Sequence, residues 1–273
     1  MSGLLAAFGP AAGASTAAGA APAAAPPGSA AAAVARQALQ HLAIGQHAAD
    51  HRMPGPSPRV RGLTQVKSTN WSGYADTGSG FSRVTGTWTE PSVSCTPATS
   101  LAAFWVGIDG YSSGSVEQDG TLAECYRGTP YYYTWWEMYP AKAIQVVGQT
   151  LHAGDSITAS VVRSGTSYTL KVTDPSHSAN IFTTTQACAS CANSSAEWIA
   201  EAPSGSRGVY PLPDFRSWAE SGATVTAGST SGVISSFSDD EITMIGSSGA
   251  TKAQPGVLNG SGNSFSVAWE RSS

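Results

Sequence analysis

From Ser68 to the C-terminus, short apolar-rich runs alternate with Gly, Pro and Ser breaks. They fall at 70–76, 82–90, 101–109, 131–139, 143–148, 156–163, 166–173, 179–185, 195–202, 223–227, 232–236, 241–246 and 264–270. Where the period is legible it is two, and no stretch holds a helical repeat long enough for a substantial helix. Thirteen strands with turn signals between them predict an all-β sandwich. Alternation assigns faces. It puts Trp135, Glu137 and Tyr139 together, likewise Glu197, Ile199 and Glu201, and likewise Trp105, Gly107 and Asp109. Carboxylates on one strand face with large rings lie either in a cleft or in a costly buried position, and the cleft is the cheaper arrangement.

Residues 1–67 read differently. The first 35 are Ala, Gly, Pro and Ser with almost no charge, which cannot build a core. They resemble a secretory signal in their small residues and Ala-x-Ala sites, although no Lys or Arg stands near Met1. Residues 33–48 suit a short helix, and 53–62 read as an exposed, cleavable linker. The expected division is a leader over 1–67, disordered or removed, and a β-sandwich domain over 68–273. Charge divides at the same place. Arg36, Arg52, Arg59, Arg61 and Lys67 face Asp50 alone in the leader, which also holds His41, His47 and His51. The domain carries the other nine basic and seventeen acidic residues, with every Trp and Tyr. An acidic domain argues against nucleic acid as a partner. The absence of any run of 18 apolar residues argues against a membrane-spanning helix.

Only 12% of residues are charged, about half the usual share. Cys95, Cys125, Cys188 and Cys191 are an even set in an aromatic-rich β domain, which fits disulfides in an oxidising compartment. The expected pairs are 95–125 and 188–191, although four cysteines allow three pairings. Zinc at Cys188-x-x-Cys191 would need two more ligands, and His152 and His177 have no metal-motif spacing. No metal or other cofactor is expected. No G-x-S-x-G motif occurs, and both domain histidines read as surface turn residues. Carboxylates are left as the main source of acid–base chemistry. Asn70, Asn193 and Asn259 begin glycosylation sequons, which chance explains in so Ser-rich a chain.

Four segments in order carry a resemblance: WVGIDG at 105–110, VEQDG at 116–120, YTWWEMYP at 133–140 and AEWIAEAP at 196–203. Together they resemble the glutamic peptidases (eqolisins, peptidase family G1), most closely the bacterial members, over about residues 68–273. The leader resembles that family's removable propeptide. The resemblance implies a lectin-like, concanavalin-type sandwich of two curved antiparallel sheets. It implies Gln118 and Glu201 as catalytic residues, with Trp105, Asp109, Trp135 and Glu137 in support. Glu197, on the predicted face of Glu201, is a further candidate. Two departures stand out. Gln118 aligns across a one-residue gap, and Tyr133 stands where some fungal members have an acid.

The chemistry expected of such a pair is peptide hydrolysis in acid. Glu201 would take a proton from water and return it to the leaving nitrogen, and the Gln118 amide would donate to the oxyanion. The protein is then a secreted, monomeric endopeptidase acting on polypeptides, with its own leader as an inhibitor that docks by charge near neutrality. A carbohydrate-active or sugar-binding sandwich using Glu137 and Glu201 is the alternative.

Overall fold

The computed structural model describes residues 52–53, 64–147, 151–175 and 182–273. The chain begins with β1 (Arg52–Met53), β2 (Thr64–Ser68), β3 (Trp71–Thr77), β4 (Phe81–Thr89), β5 (Ser100–Asp109), β6 (Val116–Tyr126) and β7 (Thr129–Tyr139). It continues with β8 (Lys142–Val147), β9 (Ser156–Ser164), β10 (Ser167–Thr173), β11 (Phe182–Ala187), β12 (Ser195–Glu201), β13 (Ser204–Gly205) and β14 (Gly208–Val209). Last come β15 (Ser217–Ala227), β16 (Thr230–Gly232), β17 (Ser238–Ile245), β18 (Thr251–Pro255) and β19 (Phe265–Trp269).

Two sheets pack face to face. The first runs β2–β17–β3–β12–β5–β6–β7–β8, antiparallel except for the parallel β2–β17 pair. The second runs β16–β15–β4–β9–β10–β11. β15 belongs to both. Its first half pairs with β19 and its second with β4, and Gly222 takes φ 65° at the bend. That φ belongs to the left-handed region that glycine reaches without a Cβ clash.

The pattern of burial explains why these runs are strands. β4, β9 and β10 alternate buried and accessible positions, as sheets with one solvated face do. β5, β6 and β12 are buried on both faces. One side of these central strands, with Phe104, Val106, Trp198 and Ala200, meets Phe81, Val84, Ile157 and Leu170 of the second sheet in the main core. The other side builds a second, aromatic cluster around Trp71, Trp105, Tyr133 and Trp135. Both expected disulfides are present, Cys95–Cys125 and Cys188–Cys191, so the Cys-x-x-Cys pair offers no thiolates to a metal.

Several sequence expectations are corrected. Residues 116–126, outside the thirteen expected strands, form a central strand of the first sheet. Segment 232–236 is not a strand of its own but the end of β16 and a 3-10 turn at Ile234–Ser236. β2, on the leader side of the expected 67/68 boundary, is an integral member of the first sheet, and β1 pairs along it. The rest of the leader, with the helix at 33–48 and His41, His47 and His51, lies outside the described residues, as does His177. His152 sits in a turn, half exposed, with Nδ1 3.6 Å from Asp155.

Candidate active site

The first sheet turns the aromatic cluster away from the second sheet, and its cross-strand rows order the polar groups on that floor. One row reads Asp240, Ala75, Glu197, Gly107, Gln118 and Glu137 across β17, β3, β12, β5, β6 and β7. The next reads Ile242, Gly73, Ile199, Trp105, Gly120 and Trp135. The third reads Trp71, Glu201, Ala103, Leu122 and Tyr133. Period-two alternation alone puts all of these side chains on one face.

Gln118 and Glu201 therefore share the floor but not a row. The Trp105 indole joins their neighbourhoods. Its Nε1–H donates to Glu201 Oε2 at 3.0 Å. Its far edge leans over Gly107, where a Cβ would stand 2.9 Å from Trp105 Cζ3 and 3.2 Å from Gln118 Cβ. The pair thus flanks one indole. Trp71 meets that ring edge-on, with centroids 4.9 Å apart. Gly107→Ala is expected to push the indole off this seat and cut peptide hydrolysis about tenfold or more, since a small misplacement of catalytic groups is costly. Steady-state kinetics beside a thermal melt separates this from unfolding.

Each member has its own orienting partner. Gln118 Nε2 donates to Glu137 Oε2 at 2.8 Å, which sets the amide's direction. Glu201 Oε1 accepts from Asn70 Nδ2 at 3.2 Å, and Ser68 Oγ donates to Asn70 Oδ1 at 3.0 Å. Glu201 is thus held by two neutral donors, the surroundings of a carboxylate. Trp135 Nε1 donates to the Thr121 carbonyl at 3.0 Å, which fixes its ring one position from Glu137's row.

Asp109 is placed differently from the floor position that alternation predicts. Its φ of 71° takes it out of the extended run. Its carboxylate accepts from Asn193 N at 2.7 Å, Ser194 N at 2.8 Å, Ser194 Oγ at 3.0 Å and Ser115 Oγ at 3.2 Å. It therefore fixes the turn that leads into β12, which carries Glu197 and Glu201. Glu117 faces the interior beside it. Burial first, then the Asp109 charge, pushes its pKa up to about 9. Glu197 has no exposure, and its pKa is raised well above the usual range by burial, with Asp109, Glu117 and Asp76 adding to the shift.

Sequence reasoning misses Asn70 and Ser68 as site residues. Asn70 drew notice only as a sequon, yet it is buried against Glu201. The signal that could have found it is its place one residue before Trp71, the neighbour of Glu201 in register.

Comparison with known proteins places the fold and the family. The chain is 28% identical over 211 residues to aspergillopepsin-2 of Aspergillus niger, a match covering 67% of this chain and 74% of that protein. The crystal structure of scytalido-glutamic peptidase with a peptide-based transition state analog shares the fold at TM-score 0.63 and 24% identity, over 74% of this chain and 98% of that one. Aspergilloglutamic peptidase from Aspergillus niger superposes at TM-score 0.54 with 26% identity, over 63% of this chain and 99% of that one. The model of the Peptidase A4 family matches residues 69–267, a span holding every floor residue named above except Ser68. The chain belongs to the peptidase A4 family, the glutamic peptidases.

Proposed function

We propose that this glutamic peptidase is a secreted endopeptidase that cleaves polypeptides in acid, with Glu201 as general base and Gln118 as oxyanion donor. The observation that carries the reading is the Trp105 indole, hydrogen-bonded to Glu201 at one end and seated beside Gln118 at the other. A peptide carbonyl laid over that ring meets an amide donor on one side and a carboxylate on the other. Water held by Glu201 loses its proton to the carboxylate as it attacks the carbonyl carbon. The Gln118 amide, oriented by Glu137, donates to the oxygen as negative charge develops. A proton must then reach the leaving nitrogen. The solved relatives hold a peptide-based transition state analog and a tripeptide, which supports polypeptides as substrates.

Two disulfides support secretion. Among the described residues no helix is long and apolar enough to cross a membrane. Val257 is the one large hydrophobic residue exposed among them, which supports a monomer. The floor is closed in the full chain: Trp105, Gln118, Glu137 and Glu197 have no exposure and Glu201 has 1%. A substrate must reach it, so we assign its opening to removal of the basic leader, which docks on the acidic domain and inhibits it near neutral pH.

Gln118→Ala tests the assignment. It is expected to cost about 10²–10³ in kcat on a peptide substrate, the usual cost of one oxyanion donor. A glycosidase built on Glu137 and Glu201 would be indifferent to Gln118. Unchanged peptide hydrolysis by the variant would overturn the role given to this amide.

A further inference from the structure

The peptidase chemistry leaves the Cys188–Cys191 disulfide without a task, although it closes the turn that feeds the strand of Glu201. We propose that this disulfide is a redox switch on the active site: a dithiol reductant opens it with Glu117 as proton donor, and the opened turn slows peptide hydrolysis. The effect on turnover rests on the peptidase reading and adds a regulator to it.

Three observations meet at this turn. The first is access. Cys188 and Cys191 are half-buried, with exposed Ala189, Ser190 and Ala192 around them. Cys125 of the other disulfide has no exposure. Exchange needs a sulfur that an attacking thiolate can reach, so the two bonds differ in how open they are to a reductant.

The second is a neighbouring acid. An oxygen of Glu117 and both sulfurs lie within 4.8 Å of one another. Glu117 is buried, and no hydrogen bond of full geometry holds either of its oxygens. With its pKa raised to about 9 by burial and the Asp109 charge, it still carries its proton at neutral pH. A sulfur leaves a disulfide more easily when a proton meets it.

The third is what the turn holds. The Cys191 carbonyl accepts from Asn193 Nδ2 at 2.7 Å, and Asn193 Oδ1 accepts from the Tyr168 hydroxyl at 2.6 Å. Asn193 takes φ 53°, in the left-handed region. Its N–H and that of Ser194 donate to Asp109 just before β12 begins at Ser195. The Asn193 and Ser194 carbonyls then accept from Phe81 N and Gly78 N. The disulfide thus sets the entry of the strand that carries Glu201. Opening a cross-link frees the entropy of the loop it closes, so local opening of residues 192–195 is expected to rise about tenfold. A secreted chain passes from a reducing to an oxidising compartment, and the open form restrains the peptidase until export.

The exchange balances. The first thiol of the reductant gives its proton to solvent and attacks one sulfur. The S–S bond breaks, and the departing sulfur takes the proton of Glu117. The second thiol passes its proton to the Glu117 carboxylate as it attacks the mixed disulfide. The second cysteine leaves and takes a proton from solvent. Two electrons have moved from the dithiol, now a disulfide, to Cys188 and Cys191, now thiols, and Glu117 ends as it began.

For the test, full-length protein is treated with dithiothreitol at pH 7, trapped with iodoacetamide over time and mapped by mass spectrometry. Cys188 and Cys191 are expected to take the label at least about tenfold faster than Cys95 and Cys125. Glu117→Gln is expected to slow that labelling about tenfold, and a rate equal to wild type overturns the role given to Glu117. Transfer to pH 4 halts exchange and preserves the thiols. Hydrolysis of a quenched peptide is then expected to run about fivefold slower than before reduction, and to recover on reoxidation. The double variant Cys188→Ser with Cys191→Ser should sit at the reduced rate and ignore the dithiol. Hydrogen exchange at residues 192–195 should quicken about tenfold in both cases. Prior opening of Cys95–Cys125, or exchange protection and turnover that do not change on reduction, overturns the proposal. If the oxidised protein cleaves no peptide at all, the peptidase reading itself fails, and the labelling order with the exchange protection still decides the switch.

Discussion

Glu201→Gln is expected to lower kcat on a peptide by about 10³-fold or more, within the range that a positioned general base contributes. The substitution keeps shape and removes the basic oxygen. The glutamine Oε1 can still accept from Trp105 Nε1, so the indole keeps its seat. Its amide nitrogen then meets Asn70 Nδ2, donor against donor, where the carboxylate accepted at 3.2 Å. That conflict costs about 1–3 kcal/mol if both groups stay buried. A modest fall in melting temperature should therefore accompany a nearly complete loss of turnover. KM should change little, since the interaction removed is made with the attacking water and not with the bound peptide. Stopped-assay kinetics on an internally quenched peptide, beside a melt at the same pH, separates the two effects.

The second large effect is on stability. Raising the pH from 4 to 7 should weaken the fold by several kcal/mol, the opposite of acid denaturation. The cause is a set of buried carboxyls that the fold holds protonated. Burial raises Glu124 to about 7, Glu90 to about 8, and Asp76 and Glu117 to about 9. Asp119, Glu197 and Glu220 are raised well above the usual range for the same reason. The unfolded chain ionises these groups near pH 4, so above that pH the native state binds more protons than the unfolded state. Stability must then fall as pH rises, until each native group itself ionises. One such group costs about 1.4 kcal/mol per pH unit across its window. Little more than one such group, titrating over the three pH units from 4 to 7, amounts to about 5 kcal/mol, and a loss of that size would lower the melting temperature by about 10–20 °C. Lys252, lowered to about 8 by burial, does not oppose this, because its cost is constant below that pH. Scanning calorimetry from pH 3 to 8 reads the slope directly. A melting temperature that rises toward neutrality would contradict the account. The core thus carries neutral acids, which favours the folded state at low pH.

The sequence makes the sandwich legible because most of its strands advertise themselves. β5, β7 and β12 are dense in Trp, Tyr, Ile and Ala with Gly or Pro at their ends, and their faces follow by alternation. β6 does not. VEQDGTLAECY mixes four carboxyl or amide side chains with a glycine, which reads as a turn, and it is a strand only because β5 and β7 pair with it along its full length. That is why Gln118 was reachable only through family resemblance, whereas Glu201 sits on a strand visible in its own right. Asp109 shows the limit of alternation. A left-handed residue at a strand end redirects its side chain, and nothing in WVGIDG announces it. Asn70 shows another limit, since its role arises from a contact 131 residues away in sequence.

The most direct test of the central claim is digestion of denatured casein between pH 3 and 5 by the protein with the residues before Thr64 removed, so that β2 is kept, beside the Glu201→Gln variant, with fragments identified by mass spectrometry. The account predicts cleavage at internal peptide bonds by the wild type and intact casein with the variant. Intact casein with both proteins, or equal cleavage by both, would contradict it.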